Sequence, residues 1–131
     1  MWGQHVLMIS KQFTDESHWG ISTMITVHGC KHDYITDKDF IHAFVLDLVD
    51  YIDMEAYGET VIERFGEGDL EGYSAMQLIK TSSITMHFSE VDGRAFIDIF
   101  SCKGYEPVEA AQFCEDYLDG RSYDMAWMFR D

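Results

Sequence analysis

Ser83-Ile84-Thr85-Met86-His87-Phe88, a turn at Asp92-Gly93, and Ala95-Phe96-Ile97-Asp98-Ile99-Phe100-Ser101 form the stretch on which the fold depends. Both runs are rich in β-branched and aromatic residues, and the link between them is too short for a crossover. They read as neighbouring antiparallel strands. Working outward, residues 60–65 and 73–80 repeat the pattern, parted by the turn-forming Gly66-Glu67-Gly68-Asp69. Earlier still, residues 21–28 and, more weakly, 4–10 read as strands around a polar turn at 14–17, and 123–129 reads as a last strand.

Two segments change period. Thr36 with Asp39 three residues on resembles a capping box, and Phe40, Ile41, Phe44, Val45, Leu48, Val49 and Ile52 then recur at helical spacing. Burying that stripe is worth about 10–20 kcal/mol before entropy, so it packs on something extensive, most simply a sheet. Pro107 at an N1 position opens a second helix over 108–118, closed by Gly120. Strands grouped between helices, rather than alternating with them, predict an α+β two-layer sandwich: an antiparallel sheet with helices packed on one face. At 131 residues the chain is expected to be a single domain, 1–131.

Composition narrows the function. With 47% hydrophobic residues and one proline the chain is too rich in core formers for disorder. Nine Lys and Arg against 24 Asp and Glu leave a charge of −15, the wrong sign for neutralising phosphates, so nucleic acid and anionic membranes are excluded as main partners. No apolar run reaches the ~18 residues of a spanning helix, and the first residues lack a basic leader followed by an apolar stretch, so a cytoplasmic location is expected. Cys30, Cys102 and Cys114 are odd in number and form no C-x-x-C, which predicts free thiols.

Four groupings could carry chemistry. Gly66-Glu67-Gly68 is flanked by Glu63, Asp69 and Glu71, which would repel a phosphate, so it reads as a plain turn. His28, Cys30 and His32 alternate as ligands on one strand face would, but Gly29 and the lack of a fourth ligand favour a strand running into a loop, and no metal is expected. His87 and Cys102 sit at strand ends and could pair as imidazole and thiol; the alternative is a buried structural cysteine. Ser82 and Ser83 begin a strand, and spacing alone marks neither.

Lys80-Thr81-Ser82-Ser83-Ile84-Thr85-Met86-His87 followed by Asp98-Ile99-Phe100-Ser101-Cys102 resembles the core of the bacterial-type, pyruvoyl-dependent S-adenosylmethionine decarboxylases. The family has Glu-Ser-His-x-x-x-His and then Asp-x-Phe-x-Cys; the steps from Ser82 to His87 (five) and to Cys102 (twenty), and back to Ser74 (eight), agree. Gly3-Gln4-His5-Val6-Leu7 resembles the family's opening Gly-Lys-His-Leu, and Gly29-Cys30 competes for the same place. The resemblance implies self-cleavage between Thr81 and Ser82, with Ser82 becoming a pyruvoyl cofactor that forms a Schiff base with the substrate amine. It makes Ser74 and His87 processing residues, Cys102 the proton donor, and Glu90 a substrate-binding residue for S-adenosylmethionine, whose product feeds spermidine and polyamine synthesis; a ring face such as that of Phe65 would suit the sulfonium of that substrate. It also implies a homodimer. On a regular strand Ser82 and His87 face opposite ways, so a bulge or bend between them is expected.

The chain departs from the pattern at three places: Thr81 replaces Glu, Ser83 replaces His, and Phe88-Ser89-Glu90-Val91 replaces Thr-Trp-Pro-Glu. Two alternatives follow, a pyruvoyl-dependent arginine or ornithine decarboxylase and an unprocessed homologue that binds a ligand or a partner subunit.

Overall fold

A computed structural model of the chain describes residues 17–131, so the strand expected at 4–10 and nearly all of the turn at 14–17 lie outside the described residues. The elements are β1 (Gly20–His28), α1 (His32–Ile35), α2 (Lys38–Tyr51), β2 (Ala56–Phe65), β3 (Gly72–Ile79), β4 (Ser82–Ser89), β5 (Arg94–Ser101), α3 (Pro107–Tyr117) and β6 (Ser122–Arg130). The strands form one sheet in the order β2-β3-β4-β5-β1-β6, with every neighbouring pair antiparallel. Helix α2 crosses β2 and β3, and α3 crosses β1 and β6. This is the α+β two-layer sandwich expected from the grouping of strands between helices.

Strand parity divides the sheet into two faces. Ile84, Met86 and Phe88 of β4, Ile97 and Ile99 of β5, and Ile25 and Val27 of β1 pack beneath Ile41, Phe44 and Leu48 of α2 in one buried core. The other face carries Ser74, Met76, Leu78, Thr85, His87, Asp98 and Met128, and no described element covers it. Met24, Met76, Leu78 and Met128 are exposed there.

Three local expectations change. The long helix is capped by Asp37, whose Oδ1 accepts the Asp39 and Phe40 amides at 3.0 and 3.3 Å, and Thr36 instead closes α1 by donating to the His32 carbonyl at 2.8 Å. A carboxylate is the better partner for the exposed amides at a helix start. Helices α2 and α3 are followed by left-handed aspartates, Asp53 (φ 59°) and Asp119 (φ 52°). Gly120 is needed for a different reason, since a Cβ there would lie 2.4 Å from Val27 Cγ1.

Strand β2 starts before the expected 60–65 and shifts register between Tyr57 and Val61. The fully buried Gln77 supports this bulge, its Nε2 donating to the Tyr57 and Gly58 carbonyls at 3.3 and 3.2 Å and its Oε1 accepting from the Thr60 hydroxyl. A bulge frees backbone groups from the ladder, and a buried amide is able to satisfy them.

Candidate active site

The β3–β4 hairpin turns on Lys80 and Thr81, which makes Ser82 the first residue of β4, opposite Ile79 on one side and Ser101 on the other. Cys102 follows directly on β5 and is exposed. Its backbone N–H donates to the Thr81 carbonyl at 3.0 Å. The carbonyl preceding Ser82 is thus polarised by a fixed donor, and the Cys102 thiol belongs to the same residue as that donor. Ser101, fully buried, donates its hydroxyl to Thr81 Oγ1 at 2.8 Å. Lys103 Nζ reaches the Asp53 carbonyl at 2.6 Å, and Lys80 Nζ pairs with Glu55 at 2.6 Å, so the 53–55 connection is tied to both sides of the hairpin.

Ser74 and His87 do meet. They are register partners on β3 and β4, and Ser74 Oγ lies 2.7 Å from His87 Nδ1 on the open face. Ladder β3–β4 is unbroken from Ser74/His87 to Ile79/Ser82. The expected bulge between Ser82 and His87 is therefore absent, because both neighbouring strands hold β4 in continuous register. Five residues of regular strand set the two positions about 16 Å apart and on opposite faces. The His87–Cys102 pairing fails for the same reason: His87 lies opposite Phe96, well back along β5 from Cys102.

Glu90 and Phe65 share the His87 end. Arg64 grips Glu90 with two prongs at 3.0 and 2.9 Å and also pairs with Glu71 at 2.8 Å. The guanidinium holds the Glu90 carboxyl below the usual glutamate range, and Glu90 in turn raises Arg64. Phe65 closes β2 opposite Gly72, with its ring exposed. Beside them a hollow of about 460 Å³ is lined by Leu70, His87, Val91, Arg94 and Phe96.

The remaining groupings separate. His28 Nε2 pairs with Asp124 Oδ2 at 2.8 Å, and the Cys30 thiol is buried, directed at the Val27 carbonyl and pushed up to about 11 by desolvation. Cys114 is also buried and raised further, again by desolvation. Among the described residues no three His, Cys, Asp or Glu side chains gather to hold a metal. Gly66 and Gly68, at φ 92° and 59°, are turn residues. No helix among the described residues is long and apolar enough to cross a membrane.

Reading the sequence for chemistry missed Ser101 and Arg64. Ser101 carries a usable signal: with Ile97 and Ile99 it falls on the core side of β5, and a serine there must find a partner. Arg64 carries none, since its pairing with Glu90 joins strand ends far apart in sequence.

A family model described as S-adenosylmethionine decarboxylase matches residues 13–131. The chain belongs to the S-adenosylmethionine decarboxylase family, an enzyme family of the carboxy-lyase class. The match begins after Gly3–Leu7, a segment also outside the described residues. Among relatives, the S-adenosylmethionine decarboxylase proenzyme of Geobacillus kaustophilus (strain HTA426) is 28% identical over 94 residues, spanning 72% of this chain and 73% of that protein. The proenzyme of Bacillus velezensis (strain DSM 23117 / BGSC 10A6 / LMG 26770 / FZB42) is 28% identical over 90 residues, 69% of this chain and 68% of that one. The crystal structure of the adenosylmethionine decarboxylase from Aquifex aeolicus VF5 superposes with a TM-score of 0.73 at 18% identity, covering 86% of this chain and 91% of that one, a likeness of fold.

Proposed function

We propose that the chain is a self-processing decarboxylase of S-adenosylmethionine, cut between Thr81 and Ser82. The observation that carries this is the Cys102 N–H bonded to the Thr81 carbonyl at 3.0 Å, which sets an electrophilic carbonyl beside a serine hydroxyl at a hairpin turn. Attack by Ser82 Oγ on that carbon forms an ester as the C–N bond breaks, and the hydroxyl proton ends on the freed nitrogen. Loss of the Ser82 Cα proton then expels the Thr81 carboxylate, and water replaces the nitrogen, released as ammonia, to leave a ketone. When formed, a pyruvoyl group at position 82 supplies a carbonyl that takes up a substrate amine and accepts the electrons left as carbon dioxide departs. Cys102 Sγ holds the proton that returns to the substrate carbon.

Ser74 and His87 serve this site from a second copy. Within one chain they lie about 16 Å from Ser82. A two-fold axis between two open faces, running across the strands, reverses position along them and lays the Ser74–His87 end of one copy over the hairpin end of the other, so that these residues approach the Thr81–Ser82 peptide from the face opposite the Ser82 side chain. Exposed Met24, Met76, Leu78 and Met128 give that homodimer an apolar contact. Phe65 and Glu90 travel with His87, so an aromatic face for a sulfonium and a carboxylate for a ribose reach the same place. A second reading, a basic amino acid such as arginine or ornithine as substrate, draws on Glu90 being gripped by Arg64. Carbon dioxide release from each candidate substrate separates the two.

The first test is the intact mass of the denatured protein after prolonged incubation. Two pieces are expected, one ending at Thr81 and one starting at residue 82 with a ketone in place of the amine, and neither from Ser82→Ala. A single full-length mass from the unaltered protein would leave the unprocessed homologue as the reading.

A further inference from the structure

We infer that Ser101 is a positioning residue for self-cleavage, fixing the acyl half of the Thr81–Ser82 bond through the Thr81 hydroxyl. The inference rests on the reading of Ser82 proposed above. Ser101 occupies a core position alongside Ile97 and Ile99 and is fully buried, a place where an alanine or valine would pack without a polar group to satisfy. Its hydroxyl is instead the middle of a directed chain. The Lys103 amide donates to Ser101 Oγ at 3.0 Å, Ser101 donates to Thr81 Oγ1 at 2.8 Å, and the Thr81 hydroxyl points on to Met54 Sδ at 3.3 Å. Ser101 lies 3.6 Å from the same sulfur, a weak acceptor, so Thr81 is the better partner for its proton.

Thr81 is thereby held at two points by consecutive residues, the last of β5 and the one after it. Ser101 binds its side chain and the Cys102 N–H binds its carbonyl. A β-branched residue has few χ1 choices, and fixing that torsion together with the carbonyl direction fixes the plane of the peptide that Ser82 must attack. Intramolecular attack depends steeply on such orientation. In the step affected, the bond from Ser82 Oγ to the Thr81 carbonyl carbon forms, the bond from that carbon to the Ser82 nitrogen breaks, and the hydroxyl proton ends on that nitrogen. Ser101 exchanges no atom in it and touches neither reacting atom through its hydroxyl, so its contribution is geometric.

The test follows the first-order appearance of the residue-82 fragment from freshly purified full-length chain by intact mass. Ser101→Ala and Thr81→Val should each slow it about tenfold, the scale of one lost buried hydrogen bond. Because the two hydroxyls act as one unit, the double variant should be no more than about twofold slower than the slower single variant. Ser101→Thr, which keeps the hydroxyl, should cleave within about threefold of the unaltered chain. Hydroxylamine, which opens an accumulated ester, should not accelerate Ser101→Ala, since the slowed step precedes the ester. Cleavage of Ser101→Ala at the unaltered rate would overturn the inference, as would single effects that multiply in the double variant. If Ser101→Ala does not fold, Thr81→Val at its half-buried turn position and the rescue by Ser101→Thr carry the same decision. An unaltered chain that never cleaves overturns the reading of Ser82 itself, an outcome distinct from those in which it cleaves and the variants keep pace.

Discussion

The two ends of the sheet hold their functional groups by different means. Around Thr81, the contacts are backbone amides and buried hydroxyls: the Cys102 N–H on the Thr81 carbonyl, the Ser101 hydroxyl on the Thr81 side chain, and the Lys103 amide on Ser101. Around His87 they are side chains near water: Ser74 with His87, and Arg64 with Glu90 and Glu71. The first end is assembled by folding one chain. The second is a surface arrangement whose groups lie too far from Ser82 to act on it within one chain, and under the proposed function it acquires a target when another open face meets it.

The sharpest way to break this contrast is to divide the ends between two chains. His87→Ala alone should lose cleavage, as Ser82→Ala does, but co-expressing the two should restore about a quarter of the sites, since half the dimers are mixed and each has one intact pairing of ends. Intact mass on the mixture checks this, and no recovery would return Ser74 and His87 to a role within their own chain. Next in size, Cys102→Ala keeps the backbone amide and should cleave within a few-fold of normal, while turnover falls by about a hundredfold as a proton donor is lost. Equal losses in cleavage and turnover would merge the two roles.

Thiol labelling gives a smaller separation. At pH 8 iodoacetamide should modify exposed Cys102 well before Cys30 or Cys114, which are buried and whose raised ionisation leaves less thiolate at that pH. Peptide mass mapping over time reads the order, and early labelling of Cys30 would contradict its burial. The least effect belongs to Arg64→Ala, expected to lower the urea midpoint only slightly near neutrality because the guanidinium is half-exposed and screened by water. Since Arg64 lowers the Glu90 ionisation, that contribution is present above the ordinary glutamate range and is lost as pH falls through the lowered value. The difference in urea midpoint between Arg64→Ala and the unaltered chain should therefore shrink on acidification, and a constant difference would remove the ion pair as its cause.

The sequence made the sheet legible because β-branched runs with short turns specify antiparallel neighbours, and strand parity then assigns Ile97 and Ile99 to the core without further information. The Phe40–Ile52 stripe was equally readable, though its cap was not: Thr36 and Asp37 are both good N-caps, and only the short helix before them decides which is used. Ser74 and His87, which touch in the fold, were named together through family spacing and not through any local property of either residue. Their separation from Ser82 was hidden because spacing along a chain says nothing about whether a strand bends. The pairing of Arg64 with Glu90 joins the end of β2 to the turn after β4, a contact that sequence periodicity cannot report.

The Lys80-Thr81 hairpin is also the sole covalent link between β3 and β4, the second and third strands in the sheet's order. Cutting it after folding would leave a complex of two interleaved polypeptides, held by ladders that formed while they were one. Refolding would then become a bimolecular encounter, with a midpoint that depends on protein concentration, whereas the uncut chain refolds independently of dilution at that junction. A cut at this junction would thus have its order built into the connection: the sheet would have to form first and be severed second.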